Sequence, residues 1–271
     1  MSLGRDAETT GRFNPMDTVL ARQVGLDGLR HGPAASALVM GVDGSLQAGS
    51  GPPANPADPH TAAGETVLTA GAARISGSRA KRGLDLGGAL LGLAFLAPLL
   101  VLLGVIIRLE TPGPALFKQR RTGRGGRTFT IYKFRTMRVI EDGAEIVQAS
   151  ENDQRTTRLG RFLRRSSIDE LPQLLNVLRG EMSLIGPRPH ALAHDAYYGA
   201  RVQGYEARFL VRPGLSGLAQ VKGCRGATPE TEMMADRVRW DLTYIETWSL
   251  ALEARIFLDT IRMFFFHPTP Y

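Results

Sequence analysis

Cysteine is almost absent from this sequence. Only Cys224 carries a thiol among the 271 residues. A single cysteine excludes an intramolecular disulfide and a metal site built from several cysteines, and it fits a reducing compartment. A chain of this length forms one domain with additional segments, or two small domains.

Large apolar residues are scarce in the first 78 positions, which are rich in glycine, alanine and proline. Residues 32–35 (Gly-Pro-Ala-Ala) and 51–56 (Gly-Pro-Pro-Ala-Asn-Pro) are typical of this stretch. Such a segment cannot bury enough apolar surface to offset the entropy that is lost on ordering. We therefore predict a disordered or low-complexity N-terminal tail over residues 1–78.

Charge is missing from the 22 residues 86–107. As a helix this run would reach about 33 Å, enough to cross the hydrocarbon core of a bilayer. A buried helix of a soluble protein is the alternative, but the run is too long and is apolar on all sides. Pro98 lies in the middle, and basic residues flank both ends instead of one. These features favour a re-entrant membrane hairpin over residues 79–110, a helix–break–helix that enters and leaves by the same face.

Acidic residues are outnumbered, since 33 Lys and Arg against 26 Asp and Glu give a net charge of +7. The excess implies an acidic partner, such as nucleic acid, an anionic membrane or a phosphorylated substrate. A predicted helix over residues 155–165 carries five arginines, the first four spaced every three residues. No aromatic interleaving or nucleic-acid reading motif accompanies them. We therefore expect a pyrophosphate or a membrane surface as the partner, and no nucleic acid.

Two polar-apolar stretches beyond the apolar run predict a β-hairpin. Residues 115–121 and 127–135 flank a glycine-rich turn, and the second stretch alternates cleanly. Lys133 and Arg135 fall on one face of that strand. This face could hold a phosphate or a lipid headgroup; an ordinary solvated edge is the alternative.

An adjacent acid pair, Asp169 and Glu170, stands just ahead of Pro172. Proline is tolerated only in the first turn of a helix, so a helix cannot begin much before Ile168. Ser167 with Glu170 has capping-box spacing, and Asp169 could itself be the cap. Both carboxylates then lie at the positive end of the helix dipole, where one could attack phosphorus while the other binds magnesium. The alternative is a helix start with ordinary N-terminal acids.

Arg188 lies between two prolines in residues 186–189 (Gly-Pro-Arg-Pro). The prolines stiffen this turn, so its guanidinium can bind phosphate with little entropy lost. His190 beside it could be a base, although a lone histidine is more often structural. Further on, we predict a helix from about residue 229 to 245, then a second one capped by Ser249. Trp248 and the phenylalanines beside Arg255 and Arg262 suit a helix at a bilayer surface; core packing is the alternative.

From Lys81 to about Phe266 the chain resembles the bacterial sugar transferase family. These small monotopic phosphoglycosyl transferases are also called polyprenyl-phosphate hexose-1-phosphate transferases. The resemblance covers about two thirds of the chain and rests on residues 81–85 (KRGLD), 132–137 (YKFRTM), 163–189 (LRRSSIDELPQLLNVLRGEMSLIGPRP) and 212–217 (RPGLSG).

The resemblance implies a role for six residues. Asp169 would be the nucleophile, giving a covalent phosphosugar intermediate, and Glu170 would bind Mg²⁺. Arg188 would bind the nucleotide or diphosphate of the substrate, and Lys133 and Arg164 would bind its phosphates. Asp241 would be a further substrate-binding residue. The family's membrane element is a re-entrant helix–break–helix, often with Ser-Pro at the break, where this chain has Ala97-Pro98.

The resemblance also implies substrates and location. The substrates would be a UDP-sugar, with glucose favoured and galactose next, and undecaprenyl phosphate. UMP would leave, and the lipid-linked sugar would begin an exopolysaccharide. We expect an α+β, mostly helical fold with amphipathic interfacial helices, its catalytic domain (residues 111–271) on the cytoplasmic face of the bacterial inner membrane. The resemblance leaves open whether the chain forms a homo-oligomer. The alternative function is a catalytically silent membrane scaffold.

Overall fold

The computed structural model describes residues 38–40, 46–48, 62–138, 153–226, 228 and 230–266. Its first unit, residues 1–51, contains an antiparallel pair, β1 Leu38–Met40 with β2 Leu46–Ala48. The second unit, residues 52–271, holds the remaining elements. Its helices are α1 Ala62–Gly77, α2 Arg79–Glu110, α3 Arg158–Arg165, α4 Leu174–Arg179, α5 Leu192–Gly199, α6 Leu218–Val221, α7 Thr231–Thr247 and α8 Leu250–Phe266. Its strands are β3 Leu116–Thr122, β4 Thr128–Phe134, β5 Ser183–Ile185 and β6 Gly214–Ser216. The mostly helical α+β class is confirmed.

Helix α1 is part of the folded core of the second unit. Leu68, Ala72 and Ile75 are buried in one cluster with residues of α7. Gly71 lies so close to the Ile245 carbonyl that a Cβ atom there would collide with it. Residues 62–77 therefore do not belong to the predicted tail. The rest of residues 1–78, apart from β1, β2 and Ser78, lies outside the described residues.

Helix α2 is one continuous helix of 32 residues with Pro98 inside it. It corrects the predicted helix–break–helix, because a proline removes one backbone donor while the hydrogen bonds on either side can continue. Buried residues four positions apart line one side of α2 and pack against the domain. They are Asp85 and Ala89 near its start, and Leu103 and Ile107 near its end. The most apolar 18 residues are only 11% buried, so α2 is not the core helix of a soluble protein. Such a large exposed apolar surface marks a membrane or partner contact.

Both ends of α2 are fastened to the same domain. Near its start, Asp85 accepts hydrogen bonds from the Ser183 hydroxyl and the Leu184 N–H, each at 2.9 Å. Near its end, Arg135 donates to the Pro112 and Thr111 carbonyls, each at 2.7 Å. Arg135 is thus buried as a C-terminal cap of α2. It does not share a ligand-binding face with Lys133, because β4 ends at Phe134 and the chain turns away.

The predicted β-hairpin is confirmed. Strands β3 and β4 pair antiparallel from Leu116 opposite Phe134 to Thr122 opposite Thr128. The side chain of Asn176 on α4 makes hydrogen bonds to the edge of β4 that does not pair with β3. Its Oδ1 accepts from the Tyr132 N–H at 3.2 Å, and its Nδ2 donates to the Thr130 carbonyl at 2.7 Å. This fixes α4, and the turn that precedes it, against the strand that carries Lys133.

Strands β5 and β6 form a short parallel pair that carries the chain into the Gly-Pro-Arg-Pro turn. Three glycines permit the close approach, since a Cβ atom at Gly214 or Gly217 would collide with the backbone of Gly186, and one at Gly186 would lie 2.6 Å from the Arg212 carbonyl oxygen. The position of Arg188 is therefore set by backbone packing immediately before it.

Helices α7 and α8 complete the core, and their bounds agree closely with those of the two predicted C-terminal helices. As predicted, the Ser249 side chain caps α8, accepting from the Leu252 N–H at 3.1 Å. Ile256 and Glu253 of α8 are buried, whereas Phe257 and Leu258 on the same helix are exposed. Helix α8 is therefore amphipathic, with an apolar face that stays exposed in the part of the chain that the structure describes, as an interfacial helix requires.

Candidate active site

The acid pair lies on a short 3-10 helix, Ile168–Gln173, that runs directly into α4. Its start at Ile168 agrees with the limit set by Pro172. Ser167 precedes it with φ 53° and ψ 15°, a left-handed conformation that costs a non-glycine residue about 1–2 kcal/mol. The chain is therefore locally strained immediately before the acids.

The predicted capping box is wrong. The Ser167 side chain makes no capping hydrogen bond, and Asp169 does not occupy the cap position. The turn is closed by the backbone alone, where the Glu170 N–H donates to the Ser167 carbonyl at 3.2 Å. The Glu170 side chain does not reach back to the cap because it is held by basic residues from other elements.

Glu170 is clamped by two cations. Lys133 on β4 donates to Oε1 at 2.8 Å, and Arg188 donates to Oε2 at 2.8 Å as well as to Oε1. This fork-to-fork pairing fixes the planes of both groups. The positive neighbours hold the pKa of Glu170 well below its usual range, despite its burial. Glu170 is therefore a fixed anion that orients Lys133 and Arg188.

Asp169 has a different environment from its neighbour. It is buried, and burial together with the adjacent Glu170 charge raises its pKa to about 7. Lys133, Arg188 and Arg164 oppose that rise. Two adjacent carboxyl groups with pKa values pushed apart can take different chemical roles. The Asp169 carboxylate is the less stabilised of the two and is therefore the better nucleophile.

One cleft brings together five of the six predicted site residues, namely Lys133, Arg164, Asp169, Glu170 and Arg188. Arg164 comes from α3, which begins at Arg158, so Arg155 lies outside the helix that was predicted to include it. The rest of the lining mixes apolar side chains, such as Leu184, Leu215 and Phe257, with polar ones, which are Ser216, Gln220, Arg225 and Thr260. The cleft therefore joins the acid pair to α8, which contributes Phe257 and Thr260 to its lining.

Asp241, the sixth predicted site residue, is not in the cleft. It is 1% exposed and pairs with Arg208 at 2.8 Å. Arg208 in turn donates to the Arg188 carbonyl at 2.7 Å. Asp241 therefore lies behind Arg188 and acts on it through Arg208, which corrects its predicted role as a substrate-binding residue.

A buried basic cluster that no sequence motif indicated surrounds this pair. His190 lies between Arg208 and Arg237, and its Nδ1 is 2.7 Å from the Tyr205 hydroxyl. Burial and then Arg208 lower the pKa of His190 well below its usual value. Its position outside the lining of the cleft supports the structural alternative over the catalytic one. No sequence signal identified Arg208, because its partner Asp241 follows 33 positions later.

This arrangement of an acid pair and phosphate-compatible cations agrees with a match to a known family. Residues 76–267 match the bacterial sugar transferase family. The chain belongs to that family. The resemblance noted in the sequence, and the expectation of a transferase, are confirmed.

Three relatives illustrate the range within this family. A UDP-glucose:undecaprenyl-phosphate glucose-1-phosphate transferase of Caulobacter vibrioides is 56% identical over 188 residues, 69% of this chain and 70% of the relative. A transferase of the same name from Escherichia coli K12 is 43% identical, covering 70% of this chain and 41% of the relative. An Aeromonas hydrophila UDP-N-acetylgalactosamine-undecaprenyl-phosphate N-acetylgalactosaminephosphotransferase is 41% identical, covering 67% and 43%. The chain thus spans less than half the length of the last two relatives.

Proposed function

We propose that this chain transfers a hexose 1-phosphate from a UDP-sugar to undecaprenyl phosphate and releases UMP. Glucose is the favoured sugar, with galactose next, because the C-terminal sequence resembles glucose-1-phosphate transferases. The observation that carries the proposal is the cleft, where a buried carboxyl with a raised pKa lies beside a clamped second carboxylate and four basic side chains, Lys133, Arg164, Arg188 and Arg225. The product would begin an exopolysaccharide.

In the first step, a carboxylate oxygen of Asp169 attacks the sugar-linked phosphorus of the donor. A new P–O bond forms to Asp169 while the bond from that phosphorus to the bridging oxygen breaks, and UMP leaves with the electron pair. Arg188, Lys133 and Arg164 lie where they can neutralise charge on the diphosphate. Because Glu170 holds two of these cations in place, little reorganisation is needed as charge develops.

In the second step, a phosphate oxygen of undecaprenyl phosphate attacks the same phosphorus. The P–O bond to Asp169 breaks, which restores the carboxylate and yields the undecaprenyl-diphosphate sugar. The apolar lining residues of the cleft, with Phe257 on the exposed side of α8, suit an acceptor whose phosphate carries a long hydrocarbon chain.

Magnesium fits this site as a partner of substrate rather than as a fully protein-bound ion. Among the described residues, no group of three or more His, Cys, Asp or Glu side chains could hold a metal. Glu170 accepts hydrogen bonds on both oxygens but retains lone pairs, since a carboxylate offers about four acceptor positions. Mg²⁺ commonly binds through one or two carboxylates together with substrate phosphates. We infer that Glu170 would hold the ion, which would neutralise charge on the diphosphate.

The proposed setting is the inner membrane, with the catalytic domain on the cytoplasmic face. A 32-residue helix is about 48 Å long, and contacts at both of its ends join α2 to one charged domain. That domain cannot enter the hydrocarbon core, which supports a helix whose two ends remain at one face over a helix that spans.

The test is UMP release by the purified, detergent-solubilised chain with undecaprenyl phosphate, Mg²⁺ and a series of UDP-sugars. We expect release with UDP-glucose, none from Asp169→Asn, and reduced release with weaker Mg²⁺ dependence from Glu170→Gln. Asp236→Asn, which alters an exposed ion pair on α7, is the matched control and should retain activity. Appreciable turnover by Asp169→Asn would remove the covalent mechanism.

A membrane scaffold without activity is the competing function. Folded wild-type chain that releases no UMP from UDP-glucose, UDP-galactose or N-acetylated UDP-sugars would favour that scaffold, or a different nucleotide-sugar donor. The clamped Glu170 beside Asp169 argues against a silent scaffold, since a scaffold gains nothing from a buried carboxyl with a raised pKa.

A further inference from the structure

A second pocket lies at the tip of the β3–β4 hairpin and shares no lining residue with the active-site cleft. We name it the hairpin-tip pocket. Four arginines line it: two from the turn between the strands, one at the end of α4 and one just before β6. These are Arg124, Arg127, Arg179 and Arg212, and the other lining residues are Gly123, Gly125, Thr128, Phe129, Gly180 and Glu181.

Positive charge in this pocket lacks a matching acid. Glu181 is the single acid in its lining, and Glu181 already accepts from Asn176 at 2.7 Å. Arg212 is oriented by its bond to the Gly180 carbonyl at 2.9 Å, and Arg179 lies over the Tyr132 ring, 4.8 Å from its centroid. No ion pair within the described residues involves these four arginines. A concave group of unneutralised guanidinium groups attracts an anion, and phosphate matches their geometry.

The pocket adjoins the point where the apolar surface of α2 begins. Arg82 of α2 donates to the Val177 carbonyl at 3.0 Å, and a Cβ atom at Gly180, which lines the pocket, would lie 3.4 Å from the Arg82 guanidinium. Two positions further along α2, Leu84 is 60% exposed, the first of the exposed large apolar residues on that helix. Basic side chains at such a boundary lie at the depth of lipid headgroups when the apolar surface is in the bilayer.

We propose that the hairpin-tip pocket binds the phosphate of an anionic phospholipid headgroup. Arg179 and Arg212, which the fold already orients, would bind the phosphate from one side of the pocket. The exposed Arg124 and Arg127 would bind it from the hairpin turn. Binding there would fix the hairpin, and with it Lys133 on β4, relative to the membrane surface. The proposal does not depend on the transfer reaction.

The test is calorimetric titration of the detergent-solubilised full chain with short-chain phosphatidylglycerol. The double variant Arg124→Gln/Arg127→Gln should bind about 25-fold more weakly, since one surface arginine contributes about fivefold. Its UMP release in detergent without phosphatidylglycerol should be unchanged, and within the described residues neither side chain makes a hydrogen bond or an ion pair. Arg201→Gln/Arg239→Gln removes the same charge from exposed positions outside the pocket and should bind as the wild type does.

Three results would overturn the proposal. The double variant could bind phosphatidylglycerol as tightly as the wild type does. Arg188→Gln could abolish binding while the double variant does not, which would locate the lipid in the active-site cleft. Inorganic phosphate could bind as tightly as phosphatidylglycerol in the same pocket, which would make it a site for soluble phosphate. Arg124→Lys/Arg127→Lys keeps the charge but loses the fork geometry, so it should bind between the wild type and the glutamine variant.

Discussion

The buried pair of Asp241 and Arg208 offers the sharpest test of how the active site is supported. Each side chain is 2% exposed, and the two groups are 2.8 Å apart. Asp241→Asn keeps the shape but removes the negative charge that faces Arg208 and Arg237. Breaking one side of a buried pair costs about 3–5 kcal/mol, because the remaining charge stays buried without compensation. We expect the lower end of that range, since an asparagine oxygen can still accept from Arg208.

The same substitution should lower turnover. Arg208 donates to the Arg188 carbonyl at 2.7 Å and so helps to hold the guanidinium that pairs with Glu170. A hydrogen bond from a charged donor contributes about 1.5–3 kcal/mol. If a large part of that contribution is lost in the transition state, UMP release should fall by about tenfold.

Two measurements separate these effects. Thermal unfolding can be followed through Trp240 and Trp248, and the transition should fall by about 6–12 °C, since a loss of about 3 kcal/mol lowers it by about 2–4 °C per kcal/mol. UMP release is then measured well below that transition. The double variant Arg208→Met/Asp241→Leu should recover part of the stability, since apolar replacements of a buried pair are often tolerated. It should not recover turnover, because the Arg188 carbonyl still lacks its donor.

The refuting result is equally specific. An unchanged unfolding temperature for Asp241→Asn, together with a raised KM for the UDP-sugar alone, would mean that Asp241 contacts the substrate directly. Asp236→Asn on the same helix is the matched control. Its ion pair with Arg239 is 40–45% exposed, and exposed pairs contribute about 0–1 kcal/mol, so its transition should hardly move.

Two further predictions concern pH and topology. Because the pKa of Asp169 is raised to about 7 and attack requires the carboxylate, kcat/KM should fall as pH drops through that value. Glu170→Gln should move this acid limb of the pH profile to lower pH, and Arg188→Gln should move it to higher pH. Equal shifts of the limb in the two variants would refute the causes assigned to the Asp169 pKa. For topology, cysteines at Arg79 and Lys118, in a background without the natural cysteine, should both react with an impermeant maleimide from the cytoplasmic side. Labelling from opposite sides would mean a span.

Local patterns in the sequence predicted the elements whose causes are local. The hairpin follows from alternation around a glycine turn, and the start of α8 follows from the Ser249 cap. The position of the acids also followed, because Pro172 limits where a helix can begin. The capping box at Ser167 failed although its spacing was correct, since Lys133 and Arg188 compete for the Glu170 carboxylate. Spacing describes only what neighbouring residues could do in the absence of distant partners.

The roles of Arg135 and Arg188 could not be predicted from the local sequence. Arg135 and Arg188 each lie within a motif of the family, and neither motif shows which acceptors the guanidinium will meet. Arg135 donates to carbonyls at the end of α2, 23 and 24 positions earlier, whereas Arg188 meets a carboxylate in the cleft. A guanidinium takes its role from the acceptors that surround it, and those acceptors come from distant segments. The same reasoning moves Asp241 from substrate contact to support, because its only close partner in the described structure, Arg208, reaches it through the fold.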